Sequence, residues 1–155
     1  MASKYAIHKE TEFKISEEAA TAQVVDFLTY YDIDPDRLSQ TEGDLSKAEE
    51  MATKSLERTL DHLRDAIRAG RVEVERDKDG KMVVTQHLTG GDSLVYPELR
   101  ARHKITMEKF DPEASHSRIY ALMGALASVG DAGIKKLPTK DLSLVEVLGG
   151  LFILA

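Results

Sequence analysis

The fold is decided by the stretch Arg71-Val-Glu-Val-Glu-Arg-Asp-Lys-Asp-Gly-Lys-Met-Val-Val-Thr-Gln-His-Leu88. Its first six residues alternate valine with charged side chains, the two-residue period of a half-buried strand. Asp79-Gly80 predicts a tight hairpin turn, because glycine adopts a positive φ without a steric penalty. The β-branched residues that follow favour a returning strand. The stretch therefore predicts an antiparallel hairpin.

Two further segments extend the predicted sheet. Ser93–Tyr96 is a short third strand, and Pro97, which lacks a backbone N–H, marks its end. Leu99–Met107 alternates apolar with basic residues and is interpreted as a fourth strand. The expected sheet is antiparallel, has three to four strands and covers about residues 71–107.

Helical sequence precedes the sheet. Apolar spacing predicts a helix at Glu17–Tyr31 with Ser16 as N-cap, and Asp34-Pro35 begins a short one. A long amphipathic helix is expected at Leu45–Ala69, which opens on the capping-box pattern Ser46-Lys-Ala-Glu and ends before Gly70.

Helical sequence also follows the sheet. Asp111-Pro-Glu predicts the start of a helix over 112–130 that Gly130 ends. Residues 133–139 are expected to form a linker, and the last helix is expected over 141–153. The predicted class is α+β, with a helical part at 1–70 and a sheet-plus-helices part at 71–155 that together form one domain of 155 residues.

Composition excludes several functional classes. The chain has no cysteine, no long apolar run and no signal-peptide pattern at its start, so we expect a cytoplasmic protein without a membrane span. Residues 1–70 carry 9 Lys/Arg and 15 Asp/Glu, whereas residues 71–155 carry 12 of each. The acidic half would repel phosphates, which argues against a nucleic-acid partner.

The final helix is more apolar than a free surface helix needs. After Asp141, Glu146 is its only charged residue. Either the helix docks on the sheet and completes the core, or part of it remains available for a partner or for self-association. On the second interpretation, the candidate partner-binding residues are Val145, Leu148, Leu151, Phe152 and Leu154.

No residue pattern predicts a catalytic, cofactor or metal site. Asp32, Asp34 and Asp36 have the opening spacing of a calcium loop, but its glycine and glutamate positions are Arg37 and Gly43. The glycine pair in Thr89-Gly-Gly-Asp-Ser93 lacks the features of a phosphate loop and predicts a turn. The five histidines, which lack metal-ligand spacing, are His8, His62, His87, His103 and His116.

One basic cluster lies after the third strand. It comprises Arg100, Arg102, His103, Lys104 and Lys109, with a single aromatic neighbour, Phe110. Single-stranded nucleic acid would need more aromatic residues for base stacking. The cluster is interpreted as the solvent face of an edge strand, where charges deter aggregation.

The order of elements resembles that of the tail assembly chaperones of long-tailed bacteriophages and prophages. The resemblance covers about residues 70–152. It includes a linker ending in Leu-x-x-x-Asp, here Leu137 to Asp141, and it is carried by Ala66-Ile-Arg-Ala-Gly70, Val84-Thr-Gln-His-Leu88, Leu94-Val-Tyr-Pro-Glu-Leu99, Ile119-Tyr-Ala-Leu-Met-Gly-Ala-Leu126 and Ile134-Lys-Lys-Leu-Pro-Thr-Lys-Asp141. The long helical N-terminal part is the main departure from that family.

The resemblance implies a non-enzymatic protein of the bacterial host cell that keeps a long helical tape-measure protein soluble while tail-tube subunits assemble around it. It also implies that a frameshift-extended form can exist. Two alternatives remain open at this stage. One is an unrelated adaptor or regulatory domain that binds a partner through the apolar stripe of Leu45–Ala69. The other is a small enzyme that uses His103, Asp111 or His116.

Overall fold

A computed structural model describes residues 13–35 and 47–155, with the backbone alone for 47–53. These residues form helices around one three-stranded antiparallel sheet, which confirms the α+β class. The elements in chain order are α1 Glu17–Tyr30, α2 Lys47–Arg68, β1 Val72–Arg76, β2 Met82–His87, β3 Ser93–Tyr96, α3 Ala101–Ile105, α4 Ser115–Leu126, α5 Gly130–Lys135 and α6 Thr139–Leu154.

The predicted hairpin is confirmed. Strand β1 pairs with β2 in a register that places Val74 opposite Val84. Gly80 adopts a φ of +77°, and the Asp77 carboxylate accepts hydrogen bonds from the backbone N–H groups of Asp79 and Lys81 at 2.8 and 3.0 Å. A side chain of the turn thus accepts hydrogen bonds from the backbone N–H groups of the turn, and this defined turn geometry fixes the register of the two strands.

The predicted fourth strand at Leu99–Met107 is wrong, because this segment contains the short helix α3. The N–H of Arg100 donates to Nδ1 of His103 at 2.9 Å, and this local bond starts a helical turn. His103 and Met107, four residues apart, are both buried. That is helical spacing, so the basic residues lie on a helix and its flanks, not on an edge strand.

Helix α1 begins where the sequence predicts, and side-chain bonds attach it to β1. The Ser16 hydroxyl accepts a hydrogen bond from the N–H of Ala19 at 3.1 Å. The Gln23 amide oxygen accepts from the N–H of Val74 at 3.1 Å. Arg76 donates to both carboxylate oxygens of Asp26, at 2.7 and 3.1 Å, which lowers the pKa of that carboxyl.

Helix α2 ends before Gly70, as predicted, and Gly70 adopts a φ of +75°. The segment before α1 caps this end: the N–H of Lys14 donates to the carbonyl of Arg68 at 2.7 Å. The capping box predicted at Ser46 and the helix predicted after Pro35 lie, apart from Pro35 itself, outside the residues whose side chains the structure describes.

The boundaries predicted for the helix at 112–130 are wrong at both ends. The Asp111 carboxylate accepts a hydrogen bond from the N–H of Glu113 in a turn, and α4 begins only at Ser115. Ser128 adopts a φ of +58°, which ends α4 early. Gly130 begins α5 instead of ending α4, so part of the predicted linker at 133–139 is helical.

The core lies between the inner face of the sheet and the helices, and α6 enters its centre. The ring of Phe152 packs edge-on against Phe27 and Tyr31, with centroids 5.4 and 5.6 Å apart, and lies 6.3 Å from the Tyr96 ring. One cluster of buried residues includes side chains from both the helical half and the sheet half.

A buried polar chain attaches the start of α6 to the sheet. The Tyr96 hydroxyl donates to the Gln86 side-chain oxygen at 2.8 Å, and the Gln86 amide donates to the backbone carbonyl of Asp141 at 3.0 Å. The Asp141 carboxylate accepts from the Thr89 hydroxyl at 2.9 Å and from the Thr89 N–H at 3.2 Å. Burial raises the pKa of Tyr96, so the phenol remains a donor.

Two neighbouring glycines in α6 allow a matched stability test. A Cβ at Gly149 would lie 2.6 Å from Cγ2 of Ile119, whereas a Cβ at Gly150 meets nothing within 4 Å. We expect Gly150→Ala to stabilise the protein by roughly 0.5–1 kcal/mol through helix propensity. Gly149→Ala should destabilise it by about 1–3 kcal/mol through overpacking. Denaturant unfolding checks both, and equal effects would contradict the packing described for α4 and α6.

A second test concerns Asp141, which is 1% exposed. Asp141→Ala removes a charged acceptor from Thr89 and should cost about 2–3 kcal/mol of unfolding free energy. Asp131→Ala, in the first turn of α5, is the control. Its carboxylate meets the exposed Lys135 at 3.3 Å, so its loss should cost at most about 0.5 kcal/mol. Similar losses for the two variants would refute the anchoring role of Asp141.

Candidate functional site

The structure separates the five residues predicted to bind a partner. Four of them, Val145, Leu148, Leu151 and Phe152, are fully buried, and Leu154 alone is exposed, at 52%. The prediction is therefore wrong for the four buried residues, because the fold already covers them. The alternative, that the helix completes the core, is confirmed. The exposed large apolar side chains of α6 are Ile153 and Leu154, both in its last turn.

A groove lies beside this last turn, between α4 and α6. It has a volume of about 390 Å³, and its lining residues are Pro112, Ser115, Arg118, Ile119, Gly150 and Ile153. The two helices approach closely because Gly149 presents no side chain to Ile119. One residue further on, Gly150 leaves the floor of the groove open. The groove is thus a direct product of the glycine pair.

Polar groups next to the groove tie the two helices together. The Tyr120 hydroxyl on α4 donates to the Glu146 carboxylate on α6 at 2.9 Å, and Nε2 of His116 lies 3.4 Å from the same oxygen. Burial and the Glu146 carboxylate raise the pKa of Tyr120. Glu146, the only charge after Asp141 in this helix, therefore has a structural partner.

A hydrogen bond joins α3 to the end of α6. The Lys104 ammonium donates to the backbone carbonyl of Ala155. Ile105, the next residue, is 59% exposed. Exposed apolar side chains at Ile105, Ile153 and Leu154 thus belong to two helices that meet at this end of the molecule.

The residues of the enzyme hypothesis make three separate sets of contacts. His103 is buried in α3 and bonds to Arg100, Asp111 caps a turn, and His116 is exposed beside Glu146. Burial lowers the pKa of His103, with the charges of Arg102 and Arg100 as further causes. The contacts of these three residues give no sign of a shared reaction centre.

Two other histidines are described. His62 is exposed on α2. His87 lies on the outer face of the sheet, where its Nδ1 is 3.0 Å from the Ser93 hydroxyl and its Nε2 is 3.1 Å from the Glu73 carboxylate. The three side chains are exposed cross-strand neighbours, and His87 bridges β1 and β3. His8 lies outside the described residues.

The described aspartates of the calcium pattern and the glycines of the phosphate pattern lie in turns and loops. Asp32 is exposed in a turn with a φ of +53°, and Asp36 lies outside the described residues. Thr89-Gly-Gly-Asp-Ser93 forms the predicted turn, with Gly91 at a φ of +97°. Within the described ranges, no group of three His, Asp or Glu side chains is placed to hold a metal ion.

The structure also shows features that the sequence interpretation missed. Gln86 and Tyr96 alternate correctly for the inner face of the sheet, yet their pairing with Asp141 required the position of α6. The groove beside Gly149 and Gly150 likewise has no signal in the sequence, because helix propensity treats the two glycines alike. In the described part of the chain, none of the helices has both the length and the apolar character to cross a membrane.

No family model matches the chain, and neither a curated protein nor a solved structure matches it. The class of molecule is therefore defined by its own features, an α+β protein with an open groove between two C-terminal helices.

The buried His103 predicts a pH effect on stability. Its folded-state pKa lies below the usual 6.5. The folded state therefore binds this proton less readily than the unfolded state, and the stabilisation is full above pH 6.5 and declines as the pH falls below it. We expect His103→Gln, which keeps an acceptor for Arg100, to lose less stability than the wild type between pH 7 and 5.

Denaturant unfolding at several pH values checks this prediction. His62→Gln, at an exposed position, is the matched control and should follow the wild-type curve. If the unfolding free energies of His103→Gln and the wild type show the same pH dependence, the buried imidazole of His103 does not contribute to that dependence.

Proposed function

We propose that this chain is a non-enzymatic, tail-assembly-chaperone-like protein that binds a long helical client, the tape-measure protein of a phage or prophage, during tail assembly. The proposal rests on the resemblance of residues 70–152 to that family and on the α4–α6 groove. The groove is the single observation that gives the proposal a physical site.

The groove suits a helix better than a small molecule. Its walls are apolar at Ile119 and Ile153, and it is partly open to solvent. Recognition of an amphipathic helix uses such a groove, into which side chains at spacings of three and four insert. The bare backbone at Gly150 allows the client backbone to approach closely.

The exposed last turn of α6 extends this surface. Ile153 is 38% exposed and Leu154 52%. A client that covers both residues would remove apolar surface from water, at roughly 25 cal/mol per Å². Many weak contacts of this kind would keep a long protein soluble without requiring a single defined complex.

The adaptor alternative has less support. It needs the apolar stripe of α2 as a free face, but Leu56, Leu63 and Ile67 of that stripe are buried against the rest of the fold. The members at Ala48 and Ala52 lie outside the residues whose side chains are described. Leu60, the remaining described member, is half-buried and packs against the same core, so the described part of the stripe is mostly occupied.

Co-expression with a phage tape-measure protein tests the proposal. We expect the two proteins to co-purify, and we expect Gly150→Gln, which fills the groove, to reduce the recovered client at least tenfold, about 1.4 kcal/mol. The variant should remain folded because glutamine has a higher helix propensity than glycine.

Ala132→Gln, at an exposed position of α5, is the matched control and should leave co-purification unchanged. Undiminished recovery with folded Gly150→Gln would exclude the groove as the binding site. Failure of the wild-type protein to retain the client would reject the proposed function.

A further inference from the structure

Helix α1 has apolar residues on two sides. Its inner side buries Ala20, Val24 and Phe27 in the core. Its outer side carries Ala22 and Val25, and Val25 is 54% exposed. Thr21 and Thr29 flank these two residues, so the exposed apolar surface of α1 is centred on Val25.

Two adjacent depressions follow this outer side, and Val25 lines both. One, of about 550 Å³, extends toward the start of the helix past Ala22, Thr21 and Glu18. The other, of about 450 Å³, extends past Leu28, Thr29 and Asp32 to Pro35. Together they form a stripe along α1, which we call the α1 outer face: Thr21, Ala22, Val25, Leu28 and Thr29.

Acidic residues stand at both ends of the α1 outer face. Glu18 lies in the first turn of α1 and Asp32 lies just beyond its end, and the 14-residue helix is about 21 Å long. Two neighbouring acids of α1 already have cationic partners: Glu17 pairs with Arg64, and Asp26 pairs with Arg76. The carboxylates of Glu18 and Asp32 are thus placed to meet cations from outside.

We propose that the α1 outer face binds a basic amphipathic helix of a partner protein. The apolar stripe would receive residues at three- and four-residue spacing, and the acidic ends would meet Lys or Arg near both ends of a helix of about four turns. The acidic ends disfavour phosphate-bearing partners, which separates this surface from a nucleic-acid or anionic-membrane site. It shares no residue with the α4–α6 groove and does not depend on the proposed function.

A defined peptide tests this proposal. The probe is an 18-residue helical peptide with leucines at alternating three- and four-residue spacing and lysines near both ends, and its partner peptide has glutamate in place of each lysine. We expect saturable binding of the lysine peptide below about 1 mM by fluorescence anisotropy. The glutamate peptide should bind at least tenfold more weakly because of charge repulsion.

Two surface variants locate the binding. Val25→Ser removes the centre of the stripe and should weaken binding about tenfold. Val95→Ser is the matched control, since Val95 is 50% exposed on the sheet, and should bind as the wild type does. The double variant Glu18→Gln, Asp32→Asn keeps the backbone, because asparagine tolerates the positive φ at Asp32. It should weaken binding several-fold at low salt and reduce the salt dependence.

Three results would overturn the proposal. They are no saturable binding of the lysine peptide, equal binding of the two peptides, and equal effects of Val25→Ser and Val95→Ser. Loss of binding by Gly150→Gln with retention by Val25→Ser would assign the peptide to the α4–α6 groove and would also overturn it.

Discussion

The packing of the Phe152 ring against aromatic residues of α1 and β3 is the contact on which the rest of the structure depends. It joins the last helix to the first helix and to the sheet, elements that are far apart in the chain. Edge-to-face pairs of this kind contribute about 0.5–1.5 kcal/mol each beyond the burial of their surface. With α6 fixed in the core, α4 can pack on it, and the groove between them takes its shape.

The placement of α6 has a polar component as well as an apolar one. Asp141 holds the start of the helix to Thr89 and to Gln86, while Phe152 holds its end. The fold thus gives Asp141 a structural role at the start of α6. The buried carboxylate accepts hydrogen bonds at the first turn of α6, where the helix dipole also favours a negative charge.

The two proposed surfaces differ in chemistry. The α4–α6 groove is apolar, is floored by bare backbone at Gly150 and has one cationic side chain, Arg118, in its lining. The α1 outer face is apolar with acids at both ends. A protein with both can contact two segments of a partner, or two partners, without competition for the same residues. Weak contacts at separate sites add in avidity when a single chain spans them.

The sequence by itself determined the hairpin, the Ser16 cap, the end of α2 at Gly70 and the existence of the last helix, because each follows from a local pattern of period, cap or turn residue. It did not determine α3, since the bond between Arg100 and His103 outweighed an alternating pattern. Only the tertiary structure decided which face of α6 is buried. The residues of α6 are apolar nearly all round, so their spacing does not indicate which face is buried. In the structure, neighbouring elements cover four of the five predicted partner-binding residues. The groove exists because Gly149 permits close packing and Gly150 is left bare, a difference that two adjacent glycines do not show in sequence.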